Sequence, residues 1–503
     1  MYLVNNAQMR GIEQKAISSG VPSILLMENA AVSLSEIILK DGYKRVLVFC
    51  GKGNNGGDGL ACARQLFAHG IETEIIFIGN SANATEDCRT NLTAAKALNI
   101  PIAFYDTDIE DISELKAYFS NFDLIVDALV GTGLTSALHE PLASVVSAIN
   151  ASDKPVYSVD CPTGVSTDSG EDFGNAVYAD KTVTFHMPKV GLILYPACEH
   201  TGKLIVGNIS LPQSGTTKTR VLSYSDACEI MPKRKSRSDK SKYGKLFAFV
   251  GCDHMTGAAF LSLKSAYKIG AGLVYAYVTS GCADVIRNSL PEAVVTSMPD
   301  SDGFLCKSAA DIDLKQANSI LIGCGLGCNE TTHEFLKSII SKVAAPIVLD
   351  ADALNVISKD EEIKNSLPNN TIVTPHPKEM SRLCGLSVKE ILKDPIKAAL
   401  DFSTQYNVIT VLKDARTIIA APDGRVTINI TGTPAMSKGG SGDCLAGIIS
   451  GLIAQGVDCY DAACLGCYIS GKAGELAKEK LSVYGVLASD MIEQIPMVLN
   501  HKG

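Results

Sequence analysis

The chain of 503 residues is long enough for two or three domains, since a domain usually holds about 100 to 200 residues. Hydrophobic residues make up 46% of it and charged residues 20%, which excludes a mainly disordered protein. Lysine and arginine number 45 against 54 aspartates and glutamates, so the net charge is −9 and we expect no nucleic-acid partner.

The chain shows no basic and apolar leader at its start and no stretch approaching the ~18 apolar residues of a membrane span. We therefore expect a cytoplasmic protein with no membrane partner. The sixteen cysteines are scattered through apolar runs, which is typical of buried, reduced thiols. Cys459, Cys464 and Cys467 match part of an iron–sulfur spacing, but the helix-compatible small residues around them favour packing in a core.

The first half alternates β-rich apolar runs with helical patterns. The apolar runs are RVLVFC (45–50), TEIIFIG (73–79), DLIVDALVG (123–131), KPVYSVD (154–160) and KTVTFH (181–186). This alternation predicts a Rossmann-like, doubly wound parallel sheet with helices on both faces.

A glycine-rich loop, GKGNNGGDG at 51–59, follows the first of these strands. Five glycines in nine residues are costly for the flanking elements, so we expect that packing does not explain them and interpret the loop backbone as a binding surface for phosphate or pyrophosphate. A purely structural tight turn is the alternative.

Two aspartates follow later strands, Asp127 in LIVDALV and Asp160 in VYSVD. Because ligands bind beyond the carboxyl ends of strands in open α/β sheets, both are candidate site residues. Together with Asn55 and Thr163 they offer only oxygen ligands, which suits a hard cation rather than zinc or iron. The alternative for each aspartate is a cap of a turn or helix.

A polar, basic segment at 212–242 marks the predicted domain boundary, which we place between a domain of residues 1–213 and one of residues 223–503. Its cations are concentrated between Lys233 and Lys245, where an exposed connection is a commoner meaning than a phosphate or nucleic-acid site. Beyond it the alternation of strands and helices restarts, and Asp423-Gly424 predicts a hairpin turn within 416–430.

The strongest motif of the second half is SKGGSGDCLAG at 437–447, a glycine-rich turn that opens an apolar helix. It predicts an anion site with Asp443 as a base, although a simple helix cap would also explain it. Loops at 323–327, around His376 and at 413–417 also follow strands and should line the same crevice, with His376 and two cations. Because prolines flank His376, we expect it to serve no helix or strand.

Residues 1–212 resemble the NAD(P)H-hydrate epimerase domain through MRGIEQ, LLMENAA, the GKGNNGGDG loop, VDALVGTGL and VDCPTGV. The resemblance implies that Asn55, Asp127 and Thr163 hold K⁺ and that Asp160 is the acid–base group. The residues that it implies for binding the hydrated nucleotide are Asn54, Asn55, Gly56, Gly57, Asp58, Gly131, Thr132, Gly133, Leu134, Thr135, Ser136, Ala137 and Asp160.

Residues 225–500 resemble the ribokinase-like fold, and more narrowly the ADP-dependent NAD(P)H-hydrate dehydratases. The matching segments are 256–274, GCGLG, VLDADALN, TPHPKEM, KDART and GGSGDCLAG. The resemblance implies that Asp443 is catalytic, that Ala258, Gly325, His376 and Asp443 contact the hydrate, and that Lys413, Asp414, Ala415, Arg416, Thr417 and Gly442 contact the adenine nucleotide. It also implies Mg²⁺ on the nucleotide phosphates, and Cys324 stands where the family usually has proline.

The two resemblances predict a bifunctional metabolite-repair enzyme, both isomerase and lyase. It would interconvert the R and S hydrates of NAD(P)H and dehydrate the S form at the expense of ADP, giving AMP and phosphate. We also expect a homo-oligomer. One alternative is a ribokinase-like kinase for a vitamin alcohol behind a non-catalytic front domain, and another is a scaffold that binds RNA or protein partners.

Overall fold

The computed structural model describes residues 1–105, 117–212, 217–498 and 500, and divides into two compact units. One unit is Tyr2–Thr217, and the other is Lys218–Gly503 together with Met1. None of the described helices combines the length and the apolar character that a membrane crossing requires.

The unit Tyr2–Thr217 is built on a parallel sheet. Its strands, in chain order, are β1 (Arg45–Cys50), β2 (Glu72–Ile78), β3 (Ile102–Tyr105), β4 (Leu124–Ala128), β5 (Val156–Val159), β6 (Lys181–Phe185) and β7 (Lys203–Gly207). They lie side by side in the order β3-β2-β1-β4-β5-β6-β7. The order therefore reverses between β1 and β4, the position at which doubly wound folds bind their ligands.

Alternate side chains of β1 enter two separate apolar cores. Val46, Val48 and Cys50 belong to one core, and Leu47 and Phe49 belong to the other. Because successive residues of a strand point to opposite faces, the sheet is covered on both sides, which confirms the predicted doubly wound architecture. The described helices of this unit are Asn6–Ser18, Ser23–Asp41, Asn54–Ala68, Glu86–Ala97, Leu142–Asn150 and Ala197–Thr201.

The second unit has a mixed sheet in the order β11-β10-β9-β14-β15-β16-β17-β18-β19-β8. The strands are β8 (Thr219–Val221), β9 (Lys245–Phe249), β10 (Leu273–Val278), β11 (Val294–Ser297), β14 (Ser319–Ile322), β15 (Ile347–Leu349), β16 (Thr371–Val373), β17 (Ile409–Leu412), β18 (Thr417–Ala420) and β19 (Val426–Asn429), and β12 (Asp300–Ser301) pairs with β13 (Phe304–Leu305) in a separate ribbon. Seven neighbouring strands of this sheet run parallel, namely β11, β10, β9, β14, β15, β16 and β17, so the loops after β9, β14, β15, β16 and β17 meet at one edge.

The predicted hairpin at 416–430 is confirmed, because β18 and β19 pair in antiparallel fashion and Gly424 has the φ of +86° that the turn requires. Within the predicted boundary segment, β8 pairs with β19 and Lys233–Lys242 is exposed. The described helices of this unit are Tyr224–Ile230, Thr256–Ile269, Ser280–Ser289, Glu330–Ile340, Asp352–Ile357, Glu361–Asn365, Pro377–Cys384, Val388–Lys393, Pro395–Tyr406, Ser441–Ala454, Cys459–Gly485 and Ala488–Gln494.

The helices Thr256–Ile269 and Ser441–Ala454 pack closely, which fixes the helix that carries Asp443. A Cβ on Gly447 would lie 2.1 Å from the Ser262 carbonyl oxygen, and one on Gly451 would lie 2.6 Å from Ile269 Cγ2. These small residues let the two backbones approach, and the first turn of Ser441–Ala454 is held at the carboxyl edge of the sheet as a result.

The packing interpretation of Cys459, Cys464 and Cys467 is confirmed. All three lie on the helix Cys459–Gly485 and are buried in the apolar core of the second unit. Their thiols behave as small hydrophobic groups there, and burial raises the pKa of each.

Candidate functional site

The glycine loop of the first unit lies between β1 and the helix Asn54–Ala68, at the reversal of strand order. A Cβ on Gly51 would lie 2.0 Å from the Leu129 carbonyl oxygen, and one on Gly56 would lie 1.8 Å from the Gly51 carbonyl oxygen. Gly57 and Gly59 are similarly crowded, by Met27 and Ala128, and Gly53 alone faces open space. The expectation that packing does not explain these glycines is therefore wrong: four of the five are required by close backbone and side-chain approach.

Asn55, in the first turn of that helix, is buried, and only one of its two polar side-chain atoms has a hydrogen-bond partner among the described residues. Its Nδ2 donates to the Val159 carbonyl oxygen at 2.6 Å, whereas its Oδ1 is buried and has no hydrogen-bond partner among the described residues. Gly131 of the second predicted loop lies against it, because a Cβ at Gly131 would be 3.1 Å from Asn55 Cβ. The structure thus brings the two predicted loops together and leaves an unpaired carbonyl oxygen between them.

Asp127 is fully buried at the end of β4, where four groups donate hydrogen bonds to its carboxylate. Oδ1 accepts from Thr163 Oγ1 at 2.7 Å and from the Leu129 amide at 3.3 Å. Oδ2 accepts from Ser158 Oγ and from the Thr163 amide, both at 2.9 Å. Burial raises the pKa of Asp127 against the opposing effect of these hydrogen bonds.

The donor set around Asn55, Asp127 and Thr163 fits a monovalent cation. The unpaired Asn55 Oδ1 offers a neutral oxygen ligand, and the buried Asp127 offers a compensating charge. Since hydrogen bonds fill the acceptor positions of Asp127, direct coordination by its Oδ1 would require the Thr163 hydroxyl to turn to the Val130 carbonyl oxygen, 3.2 Å away.

Asp160 follows β5 and is held in a fixed orientation by its neighbours. Its backbone has a φ of +64°, which is uncommon for a residue with a side chain and is frequent at functional sites. Its Oδ1 accepts hydrogen bonds from Thr184 Oγ1 at 3.0 Å, from the Phe185 amide at 3.2 Å and from Lys189 Nζ. Lys189 is 1% exposed, so this ion pair is buried.

A cavity of about 930 Å³ within the first unit is lined by Asn55 and Asp160, whereas Asp127 and Thr163 are not among its lining residues. Most of the predicted binding residues line it, namely Asn54, Asn55, Asp58, Gly131, Thr132, Gly133, Leu134, Ser136, Ala137 and Asp160, whereas Gly56, Gly57 and Thr135 are not among its lining residues. The sequence interpretation missed Arg10, Glu13 and Lys189, which also line it. A lysine within the apolar run FHMPKVGLIL was the one available signal for Lys189.

In the second unit, Asp443 occupies the first turn of the helix Ser441–Ala454. Gly440, with a φ of +96°, begins this helix, and a Cβ on Gly442 would lie 3.4 Å from Lys413 Nζ. Burial and the neighbouring Asp350 carboxylate raise the pKa of Asp443 to about 6, against the opposing effects of Cys324 and Lys413. A carboxylate with this pKa is suited to accept a proton near neutral pH.

Asp350, which follows β15, organises the groups around Asp443. It accepts hydrogen bonds from Lys413 Nζ at 2.8 Å, from Thr374 Oγ1 at 2.6 Å and from Cys324 Sγ at 3.7 Å. Burial lowers the pKa of Lys413, but Asp350 and Glu379 more than compensate, so its ammonium form is favoured. The sequence interpretation missed Asp350, although it ends a strand as Asp127 and Asp160 do.

His376 caps the helix Pro377–Cys384, so the expectation that it serves no helix is wrong. Its Nδ1 accepts hydrogen bonds from the amides of Lys378 and Glu379, both at 3.1 Å, and its own amide donates to Glu379 Oε2 at 2.8 Å. Burial and the charge of Lys413 lower the pKa of His376, and its side chain remains 46% exposed. The neutral imidazole is therefore favoured, and its Nε2 lies 3.6 Å from Glu379 Oε1.

The remaining predicted residues are Ala258 and Gly325, which were expected to contact the hydrate, and those of the loop after β17, which were expected to contact the nucleotide. Gly325 has a φ of +65°, and its Cβ position lies 2.8 Å from Ala258 Cβ, so these two residues are in contact. The loop after β17 exposes Asp414 and Ala415, and Thr417 Oγ1 donates to the Asp414 carbonyl oxygen at 3.2 Å. Of the two predicted cations, Lys413 pairs with Asp350, and Arg416 donates to the Ile430 carbonyl oxygen at 3.2 Å.

Comparison with known proteins matches both halves of the chain. Residues 247–497 match the family described as NAD(P)H-hydrate dehydratase, and residues 23–191 match the family described as YjeF-related protein N-terminus. A solved ADP/ATP-dependent NAD(P)H-hydrate dehydratase from Bacillus subtilis, co-crystallised with ATP and Mg²⁺, is 31% identical with a TM-score of 0.51. It covers 56% of this chain and 98% of its own.

Two curated relatives align along the whole chain. The bifunctional NAD(P)H-hydrate repair enzyme of Moorella thermoacetica is 36% identical over 100% of this chain and 97% of its own length. The enzyme of the same name from Thermofilum pendens is 33% identical over 99% of this chain and 96% of its own length. The chain therefore belongs to the family of bifunctional NAD(P)H-hydrate repair enzymes.

Proposed function

We propose that this chain restores hydrated NADH and NADPH in two consecutive steps, one in each unit. An epimerase domain, residues 1–213, interconverts the R and S hydrates, and a dehydratase domain, residues 223–503, converts the S hydrate to NAD(P)H while ADP becomes AMP and phosphate. The observation that carries this proposal is that each unit holds an aspartate beside a glycine turn at the ligand-binding edge of its own sheet.

In the first unit, the substrate would occupy the cavity, held by Asn54–Asp58 and Gly131–Ala137. Asp160 would assist in breaking and remaking the C–O bond at the carbon that bears the hydroxyl. Its contacts with Thr184, Phe185 and Lys189 support this role, because they hold one carboxylate oxygen in place and leave the other free of these bonds. Gly56, Gly57 and Thr135 would contribute through the shape of the loops.

K⁺ would bind beside Asn55, with Thr163 as a further ligand and Asp127 as the buried counter-charge. The unpaired Asn55 Oδ1 supports this assignment. The ion would supply a fixed positive charge between the two substrate-binding loops. Asn55 and Thr163 would then act by holding Gly131 and its neighbours in place.

In the second unit, Asp443 would take the proton of the hydrate hydroxyl as its oxygen attacks the β-phosphorus of ADP. AMP leaves, and the hydroxyl has become a phosphate ester, a far better leaving group than hydroxide. The ring nitrogen then expels phosphate, and loss of the neighbouring ring proton restores the dihydronicotinamide. The pKa of Asp443, at about 6, supports the first of these proton transfers.

Ala258, Gly325 and His376 would contact the hydrate, and Lys413–Thr417 together with Gly442 would contact the adenine nucleotide. Mg²⁺, when bound, would neutralise charge on the nucleotide phosphates. The Bacillus subtilis relative, co-crystallised with ATP and Mg²⁺, supports nucleotide and metal binding by this fold. The closeness of Gly442 to Lys413 supports a shared phosphate position, since a backbone amide and an ammonium both bind phosphate.

The test supplies the purified chain with mixed R and S hydrate and ADP. We expect the absorbance of the dihydronicotinamide to return completely, because epimerisation feeds the dehydratase. With Asp160→Asn, the absorbance should recover only to the level that corresponds to the S hydrate initially present. With Asp443→Asn, almost no absorbance should return. Accumulation of a stable phosphorylated product would instead indicate a kinase, and recovery of neither epimer would refute the proposal.

A further inference from the structure

Four carboxyl groups besides Asp160 line the cavity of the first unit, and Glu13 and Asp58 are the two of them that interact electrostatically with both Asp160 and Lys189. Glu13 lies on the helix Asn6–Ser18, Asp58 lies on the helix Asn54–Ala68, and both line the cavity together with Asp160 and Lys189. No residue of the described ranges donates a hydrogen bond to the carboxyl of Glu13 or Asp58, whereas Asp160 accepts three. The cluster therefore contains one satisfied carboxylate and two carboxyls without partners.

The charges in the cluster favour different protonation states for these groups. Lys189 is bound to Asp160 and compensates its charge. Burial and the charge of Asp160 raise the pKa of Glu13, against the opposing charges of Lys189 and Arg10. Burial, Asp160 and Glu13 likewise raise the pKa of Asp58. Because Lys189 is bound to Asp160 and neither Glu13 nor Asp58 has such a partner, burial and the negative charge around these two groups favour their protonated forms.

Of the two unpartnered carboxyls, Glu13 is the better placed to exchange a proton with a bound substrate. Both are half-buried, but Asp58 lies within the helix that follows the glycine loop, among the residues proposed to bind the nucleotide. Glu13 comes from a different helix, outside the proposed nucleotide-binding loops, and has a longer side chain.

Given the proposed epimerase function, we propose that Glu13 is a catalytic acid that protonates the departing hydroxyl of the hydrate, while Asp160 is the base that deprotonates the returning water. The C–O bond breaks as the ring nitrogen lone pair forms a C=N bond and Glu13 gives its proton to the oxygen, so that water leaves. Water then adds to the opposite face, its proton passes to Asp160, and the electron pair returns to nitrogen. Transfer of that proton from Asp160 to Glu13 restores the enzyme, and no oxidant or reductant is consumed.

Glu13→Gln tests this role, because the amide preserves a hydrogen-bond donor but cannot release a proton. We expect kcat for interconversion to fall by about 10² to 10⁴, with a much smaller change in KM. The wild-type rate should fall as pH rises through the raised pKa of Glu13, and this alkaline limb should disappear in the variant. In H₂¹⁸O, each inversion by the wild type should introduce one labelled oxygen.

Two further variants separate catalysis from folding. Glu36→Gln, at an exposed position of the helix Ser23–Asp41, should retain the wild-type rate and pH profile. Glu13→Asp restores an acid on a shorter side chain and should recover part of the activity that Glu13→Gln loses. Glu13 is not the acid if the rate of Glu13→Gln stays within about twofold of the wild-type rate, or if this variant keeps the alkaline limb. It is also not the acid if the wild type inverts the hydrate without taking up label. If the wild type does not interconvert the hydrates at all, the proposed epimerase function itself fails.

Discussion

Replacing Asp350 by asparagine should move the pH dependence of dehydration to lower pH. A carboxylate oxygen of Asp350 and one of Asp443 lie within 4.8 Å of each other. Two unit charges at this separation repel by roughly 0.9 kcal/mol in bulk water and roughly 3.5 kcal/mol at an effective dielectric constant of about 20. Removing the Asp350 charge should therefore lower the pKa of Asp443 by about 0.6 to 2.5.

Lys413 keeps a second carboxylate nearby after this substitution. Glu379 still favours its ammonium form in Asp350→Asn, and a cation near Asp443 favours the ionised form of that group. Because the proposed base is active only when ionised, the wild-type rate should rise with pH through about 6. In the variant, the same rise should occur at least about half a pH unit lower.

The measurement is kcat/KM for dehydration of the S hydrate at saturating ADP, on both sides of the wild-type transition. This parameter reports the ionisation of the enzyme before the hydrate binds. Asp284→Asn, at an exposed position of the helix Ser280–Ser289, is the matched control and should leave the transition in place. An Asp350→Asn profile that keeps the wild-type midpoint, or moves to higher pH, would refute the electrostatic reasoning.

Three further predictions follow from the two sites. Asp443→Asn should lower dehydration by about 10² to 10⁴ while calorimetry still detects ADP binding, and an equal loss of both would indicate a structural role. The wild type should have a higher Tm in K⁺ than in a bulky organic cation, and Asn55→Ala should abolish this difference. A difference that remains in the variant would place the ion elsewhere. Gly56→Ala should lower Tm strongly or prevent folding, because its Cβ would lie 1.8 Å from the Gly51 carbonyl oxygen. The Cβ of Gly53→Ala meets open space, so this variant should lose at most about 1 kcal/mol of folding stability. Similar Tm values for the two variants would contradict this prediction.

Local patterns in the sequence were sufficient for the α/β architecture. Apolar runs such as RVLVFC and SILI became buried parallel strands, and Asp423-Gly424 became a hairpin turn. The carboxyl ends of parallel strands meet at one edge, so a strand-end aspartate such as Asp160 could be predicted to face a ligand site from the sequence alone. The same reasoning would have found Asp350.

What local patterns could not determine is which residues meet across the fold and which backbone positions are crowded. Lys189 reaches Asp160 across 29 residues of sequence, and Lys413 reaches Asp350 across 63. Glycines that are crowded by neighbouring backbone resemble, in sequence, glycines that bind a phosphate, and a capping histidine such as His376 resembles a free one. Strand order and helix packing decide these distances and contacts, and burial then sets the charge states of the groups that they bring together.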